Sequence, residues 1–457
     1  MKSQALRSKP VSAQDEPIRI GMLSLGCPKT LVDSEVILGK LDAANYRIVP
    51  SAGDCDIALL NTCSFIQDAQ KESVNRILEL IELKKEKQIR AVIVMGCLVQ
   101  KFPKELQKEL KEVDAFIGSG EYDKIPEIVE KVRSGGHVFS VGKPGYLSTS
   151  GENRIALTPR HYRYLKISEG CDHICSFCTI PNFRGKHRSR TIQDCVREAE
   201  KLVQDGAKEI IVTGQDTTYF GRDTEGKYLL PELLKSLDQV EGIEWLRLLY
   251  AYPSCVTKEL MEVMCDSKHI CHYLDMPLQH ASDAMLTAMR RGITKRRTYD
   301  LINQFRDIVP GLSIRTTFIV GFPGETEKDF EELLEFIQEM KFERLGIFTY
   351  SQEKDSHAYA LPNQIAEEIK QRRLDAAMKL QQTISEANNK KMIGETISVL
   401  IEEQDEKKTG VWIGRSWMDA PEVDGNVFVH SQRNLEPGTF YPVKITAVQA
   451  YDLVGKI

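Results

Sequence analysis

The sequence predicts an α/β protein in three successive parts: a doubly wound parallel sheet, a partial (β/α)6 barrel, and a small antiparallel β-barrel at the end of the chain. Three observations carry this reading. Short, nearly continuous apolar runs alternate with helical-period segments, the pattern of parallel strands covered on both faces. A stretch rich in Gly and Ser, Ser134 to Glu152, interrupts the alternation and ends at Thr158-Pro159. Beyond Glu395 the runs become short and alternating with turns between them, which suits a compact antiparallel barrel.

The 457 residues are enough for about three domains. Charges of both signs are abundant and the net charge is only -5, so nothing draws the whole chain towards nucleic acid, although a local basic patch is not excluded. Residues 1–16 mix charges with Ser, Gln and Ala and contain no apolar run, which excludes a signal peptide or membrane anchor there and predicts a flexible tail. Eleven cysteines in such a chain read as ligands, not as a disulfide framework, and place the protein in the cytoplasm.

The first part, residues 17–145, shows strand then helix three times. Arg19 to Leu25 precedes the helical spacing of Leu31 to Ala44, with Asp33 and Glu35 in its first turn; Cys55 to Cys63 precedes Ala69 to Lys84; Ala91 to Cys97 precedes Lys104 to Leu110. Cys27, Cys63 and Cys97 each fall just past the carboxyl end of a predicted strand, the edge where open parallel sheets bind ligands. Three strands delivering one thiol each can assemble a metal cluster, while chance placement of core cysteines remains the alternative. Cys55 begins a strand and reads as an ordinary thiol.

Residues 146–159 are expected to link the first part to the second, residues 160–363. There a strand before the loop Cys171 to Cys178 is followed by strands at Glu209 to Thr213, Trp245 to Tyr250, His272 to Met276, Ile314 to Val320 and Arg344 to Tyr350, with helices between them. Barrels of this kind place their chemistry at the carboxyl ends of the strands. In Cys171-Asp-His-Ile-Cys175-Ser-Phe-Cys178 three thiolates can be aimed at one corner of an iron-sulfur cube, leaving one iron open because no fourth cysteine is near. Zinc would require a fourth ligand, for which His173 is the near candidate, and buried core cysteines are the third reading. Thr213-Gly-Gln-Asp216, Leu278-Gln-His280 and Gly321-Phe-Pro-Gly-Glu-Thr326 follow other strands; the last also suits a helix-capping turn, and His280 suits a structural histidine. Arg184-Gly-Lys-His-Arg-Ser-Arg190 sets four positive charges beside the cysteine loop, either solvated or neutralising an anion. Cys255, Cys265 and Cys271 have no ligand spacing.

A connecting helix over 364–391 leads to the final module, 392–457, with strands at Ile397 to Ile401, Gly410 to Gly414, Gly425 to Val429 and Val443 to Val448. This module holds ten acids against six bases, a net of -4, which fits a basic partner better than RNA.

The spacing C-x-x-x-C-x-aromatic-C resembles the signature of the radical S-adenosylmethionine enzymes. That resemblance implies a 4Fe-4S cluster on Cys171, Cys175 and Cys178, chelated at its open iron by S-adenosylmethionine, with Phe177 near the adenine. It also implies cofactor contacts from Gly214, Gln215 and Asp216 and from Gly321, although the usual Gly-Gly-Glu is not present in that form. Leu23-Ser-Leu-Gly-Cys-Pro-Lys to Glu35, with Asn61-Thr-Cys63 and Met95-Gly-Cys97, resembles the amino-terminal domain of the methylthiotransferases, implying a second, auxiliary 4Fe-4S cluster on Cys27, Cys63 and Cys97. The last module resembles a TRAM domain.

Thr158-Pro-Arg-His-Tyr162, Leu165-Lys-Ile-Ser-Glu-Gly-Cys171 and Asp419-Ala-Pro-Glu-Val-Asp-Gly425 resemble the branch that modifies an aspartate of small-subunit ribosomal protein S-twelve. The resemblance implies that one S-adenosylmethionine methylates a sulfur at the auxiliary cluster and that a second, cleaved reductively, opens the aspartate β-carbon for methylthio transfer. That C–H bond has no usable acid, so the cofactors carry the chemistry and no further catalytic residue is assigned. The partners implied are the ribosomal protein or the assembling ribosome, an electron donor and a sulfur source, with no membrane and nucleic acid met only on the ribosome. A tRNA adenosine methylthiotransferase and a non-catalytic iron-sulfur carrier are the alternatives.

Overall fold

The computed structural model describes residues 17–457, so the expected tail, residues 1–16, lies outside the described residues. The chain forms two compact units, the first ending at Tyr146 apart from Glu152–Ile155, which also belong to it.

The first unit is a six-stranded parallel sheet in the spatial order Arg47–Val49, Arg19–Ser24, Ile57–Thr62, Ala91–Gly96, Ala115–Ile117, Val138–Ser140. Side chains alternate between its two faces. Ile20, Ile57, Leu59 and Ile93 pack on the helices Pro28–Ala43 and Ile125–Arg133, whereas Ala58, Leu60, Val92 and Val94 pack on Gln67–Lys85 and the helices after Gly96. Three strands are only three residues long, too short to show a period, and the sequence reading lacks them. Val138–Ser140 lies inside the stretch read as the interruption, because pairing with Ala115–Ile117 supplies the order that composition does not. The first helix begins at Pro28, since a proline is at home in a first helical turn, and Asp33 and Glu35 are therefore buried in its second.

Residues 146–159 are not a loose linker. Glu35 pairs with Arg154 and accepts at its carbonyl from Ile155 N, holding that piece to the first unit; Ser150 donates its hydroxyl to Asp194 at 2.7 Å within the second.

The second unit contains six parallel strands in sequence order, Tyr162–Lys166, Glu209–Thr213, Trp245–Leu248, Ile270–Asp275, Ser313–Val320 and Arg344–Thr349, each separated from the next by helices. Thr191, Thr257, Thr294 and Thr326 cap four of those helices by accepting the third backbone N–H, which explains why they start where they do. At Thr326 the side chain of Asp329 answers back, completing a capping box. The helix Glu367–Lys390 lays Ala377 and Ile384 against the same core.

The final module is a closed five-stranded barrel, Thr396–Gln404, Val411–Arg415, Val427–His430, Leu453–Lys456 and Phe440–Val448, one strand more than the sequence reading has. It belongs to the same unit as the six-stranded sheet. Arg415 and the segment after it reach the beginnings of the sheet's strands: Arg415 meets Glu209, Asp419 meets Arg344, and Asp424 meets Arg315 and Tyr273. These pairs bury three of the ten acids (Glu402 included) and one of the six bases, so seven acids face five bases outside them. Much of the acidic excess counted in the sequence is internal. No helix among the described residues is long and apolar enough to cross a membrane.

Candidate functional site

The strand Tyr162–Lys166 runs into Ser168–Glu169, which pairs antiparallel with Arg188–Ser189. Gly170 then turns the chain with φ +80°, and a Cβ there would strike the carbonyl of Lys186, so only glycine can start the cysteine loop. Glu169 anchors the turn. Burial pushes its carboxyl up, but Lys166 at 2.9 Å and Arg184 at 3.2 Å outweigh that and hold it at about 2.

The loop is tied on all sides. Cys171 N donates to Gly185 O, Ser176 N to Met289 O, and the Ser176 hydroxyl to Ala288 O; Ala358 N donates to Ser176 O. Cys178 Sγ accepts from Ile180 N at 3.4 Å, and Cys175 Sγ accepts from Arg291 Nη1 at 3.3 Å with the Tyr252 hydroxyl 3.7 Å away. All three thiols are half-buried. Burial, with the sulfurs of Cys178 and Cys175 close by, pushes the Cys171 thiol up. The loop therefore collects three sulfurs in one place, where proton loss would need compensation from a cation.

His173 does not complete a four-ligand site with them. Its ring stacks on Tyr252 with centroids 3.5 Å apart, and its Nε2 bonds Asp216 Oδ2 at 2.6 Å. His173, Asp216 and Cys255 do offer ligand atoms within 4.8 Å of one another, but the histidine and the carboxylate are already spent on each other.

Among the expected cofactor contacts, Asp216 bonds His173. Its other oxygen takes Thr218 N and the Thr218 hydroxyl, so both oxygens are engaged and the residue braces His173. Gln215 donates to Glu169 at 2.7 Å, and its carbonyl oxygen is buried without a partner. The hydroxyls of Ser168 and Thr213 are likewise buried and unpartnered, and a Cβ on Gly214 would lie 2.7 Å from Ser168 Oγ. These orphaned polar atoms sit around one bare backbone. Phe177 packs against Met285, Met289, Phe322 and Tyr350. Gly321, with φ +74°, donates its N–H to Glu325, and Lys370 covers its Cα.

The basic run divides. Arg184 pairs with Glu169, and Arg190 with Asp194 and Glu198, all buried; Lys186 is exposed. Half the positive charge counted beside the loop is thus neutralised internally. Tyr252 and Arg291 escaped the sequence reading because they lie far along the chain, on no motif, and His173 entered it only as a candidate zinc ligand. His280 is wholly buried: Nδ1 accepts from Ser282 N at 3.0 Å and Nε2 bonds Glu325 at 3.2 Å, which Arg373 also holds.

In the first unit the pairing of Thr62 with Gly96 sets Cys63 and Cys97 just past the ends of adjacent strands, and Leu25 N donates to Asn61 O on the other side, two residues before Cys27. Gly26 (φ +101°) lies so close to Cys63 that an added Cβ would be 2.9 Å from its Cβ; Gly96 (φ +99°) packs directly on Asn61. Asn61 donates to Thr30 O and Ser34, while Thr62 donates to Met95 O and accepts from Leu98 N. Side chains next to Cys63 thus fasten the segments that carry Cys27 and Cys97. Cys55 is buried away from them, donating to Ala52 O, and burial pushes its thiol to about 11.

Comparison with known proteins follows the same divisions. Residues 165–337 match the Radical SAM superfamily, 19–118 the Uncharacterized protein family UPF0004, and 393–457 the TRAM domain. The protein named ribosomal protein uS12 methylthiotransferase RimO from Pelotomaculum thermopropionicum is 48% identical, covering 96% of this chain and 99% of the relative. The protein of the same name from Aquifex aeolicus is 44% identical over 96% of this chain and 97% of its own. Among solved structures, the radical S-adenosylmethionine methyltransferase TsrM from Kitasatospora setae superposes with a TM-score of 0.54 over 73% of each chain at 14% identity, a likeness of fold alone.

Proposed function

Because the chain belongs to the RimO family of radical S-adenosylmethionine methylthiotransferases, we propose that it transfers a methylthio group to the β-carbon of an aspartate in ribosomal protein uS12. The observation that carries this reading is the loop of Cys171, Cys175 and Cys178 beside buried, unpartnered acceptors at Ser168, Thr213 and Gln215. Three thiols with no fourth protein ligand among the described residues suit a 4Fe-4S cluster with one open iron. The orphaned oxygens, reached over a glycine that leaves the backbone bare, suit the amino group of S-adenosylmethionine. Gly321 and Phe177 are the residues proposed for its adenosine end.

When bound, the cluster and S-adenosylmethionine supply a one-electron reductant and a carbon radical able to open an unactivated C–H bond. The chain's own residues do the rest. Gly170 and Glu169 aim the cysteine loop, and Asp216 and Tyr252 fix His173 within it. Cys27, Cys63 and Cys97 are proposed to hold the auxiliary cluster that stores the sulfur; their convergence at one strand edge supports it. An electron donor and a sulfur source are required partners, and the cytoplasm is the compartment where a ribosomal protein would be met. Seven surface acids against five bases leave the final barrel mildly acidic, which suits a basic ribosomal protein but with half the margin the sequence count gave.

The test is anaerobic reconstitution followed by S-adenosylmethionine, reductant, and either a peptide carrying the target aspartate or an unmodified tRNA, read by mass spectrometry. Methylthio addition to the peptide is expected. Addition to the tRNA instead would overturn the substrate, and no 5'-deoxyadenosine from either would overturn the enzyme class as applied to this site.

A further inference from the structure

Arg291 is buried, 4% exposed, yet among the described residues no carboxylate lies within ion-pair distance of it. Arg184, Arg190, Arg247, Arg344, Arg373 and Arg415 are buried as deeply, and each faces an aspartate or glutamate. The guanidinium of Arg291 instead lies 4.1 Å over the ring of Tyr252, gives Nη2 to Pro277 O at 2.6 Å, and gives Nη1 to Cys175 Sγ at 3.3 Å; its Nε has no partner. The Tyr252 hydroxyl donates to Arg291 O at 2.9 Å and lies 3.7 Å from the same sulfur. Burying a cation without a counter-charge is unfavourable, so the neutralising charge must come from the group that fills the cysteine loop.

We infer that Arg291 is a positioning residue that sets the reduction potential of the cluster held by Cys175 and its two neighbours. The inference rests on the cluster reading proposed above. The step concerned is one-electron reduction: the electron comes from a low-potential external donor, no bond forms or breaks, and the cluster gains one negative charge. A guanidinium hydrogen-bonded to a ligating sulfur favours the more negative state and raises the potential. Tyr252, sandwiched between His173 and Arg291, keeps the guanidinium from turning towards solvent.

The experiment is a potentiometric titration followed by electron paramagnetic resonance. It uses the full chain with Cys27, Cys63 and Cys97 replaced by Ala, so that one cluster reports, and compares this parent with Arg291→Gln and Arg291→Lys after measuring iron. In Arg291→Gln the ratio of reduced to oxidised cluster at a fixed poise should fall about tenfold, equivalent to about 59 mV for a one-electron couple. Arg291→Lys, which keeps the charge, should stay near the parent. Iron lost from Arg291→Gln but kept by Arg291→Lys would also support the counter-charge role. Equal potentials in Arg291→Gln and the parent at equal iron would overturn it, as would loss of iron from both variants, which would make Arg291 a strut. A parent that takes up no iron would overturn the cluster reading itself along with this inference.

Discussion

Glu209 and Arg415 meet at 2.6 Å, both inaccessible to solvent, although 206 residues of chain separate them. The other carboxylate oxygen of Glu209 takes Arg247 Nε at 2.6 Å, so one anion serves two cations at the seam between the six-stranded sheet and the final barrel. Glu209→Gln would leave Arg247 buried without its anion and Arg415 with Glu402 alone, and should cost about 3–5 kcal/mol of unfolding free energy. Denaturant unfolding of the purified chain checks it, and a loss below about 1 kcal/mol would mean that water reaches the seam.

The same pair sets a pH dependence. Burial pushes the Glu209 carboxyl up, but Arg415 and Arg247 more than reverse it; in the same way Arg415 and His161 hold Glu402 down. Tyr164, Cys271 and Tyr273 also face this group of charges. A carboxyl lowered on folding stabilises fully above its unfolded value, about 4.3, and loses that contribution as pH falls towards its folded value. Unfolding free energy should therefore drop below about pH 4.3, and less steeply in Glu209→Gln. Asp424, which burial pushes up, works in the opposite sense, so the comparison of wild type with variant is the informative one.

Gly26 and Gly96 give a test of the first unit. Both have positive φ and both would press a Cβ into the strand end that carries Cys63, whereas Gly135 has φ +82° with nothing within 4 Å. All three alanine variants should pay about 1–2 kcal/mol of backbone strain. With the proposed auxiliary cluster on Cys27, Cys63 and Cys97, only Gly26→Ala and Gly96→Ala should also lose iron on reconstitution, by about half. Iron retained in both would argue that Cys27, Cys63 and Cys97 do not share a cluster.

His280 should be structural. Its Nδ1 is occupied as an acceptor and its Nε2–H points to Glu325, so it has no proton to give a substrate. His280→Ala should destabilise by about 1–3 kcal/mol by taking the partner from Glu325 Oε1, with S-adenosylmethionine cleavage per folded molecule unchanged. A large fall in cleavage at full folding would contradict this.

What the sequence disclosed depended on range. The alternation of apolar runs and helices was legible because parallel strands buried on both faces carry it residue by residue, as in Ala91–Gly96. The six cysteines proposed as ligands stood out by spacing and by a strand-end position repeated three times. Strands such as Val138–Ser140 were not, because three residues carry no period and their order comes from a neighbour. The bond of Asp216 to His173 was not legible because that partner is supplied by another loop. The acidity of the final barrel was overstated because a count cannot see that Asp419, Asp424 and Glu402 face inward. Arg291 was invisible, since only burial without a carboxylate distinguishes it.

The seam also bears on how the chain is made. The last strand of the sheet ends at Thr349, but Asp419, the partner of Arg344, leaves the translating ribosome roughly seventy residues later. Until then the starts of several strands hold charges whose counter-charges do not yet exist, and the sheet cannot close that end against water. Synthesis must therefore pass Asp424 before this half of the enzyme settles. A stop codon between the connecting helix and Arg415 would yield not a shorter enzyme but an unfinished one, and grafting another family's terminal barrel in its place would fail unless Arg415, Asp419 and Asp424 travelled with it.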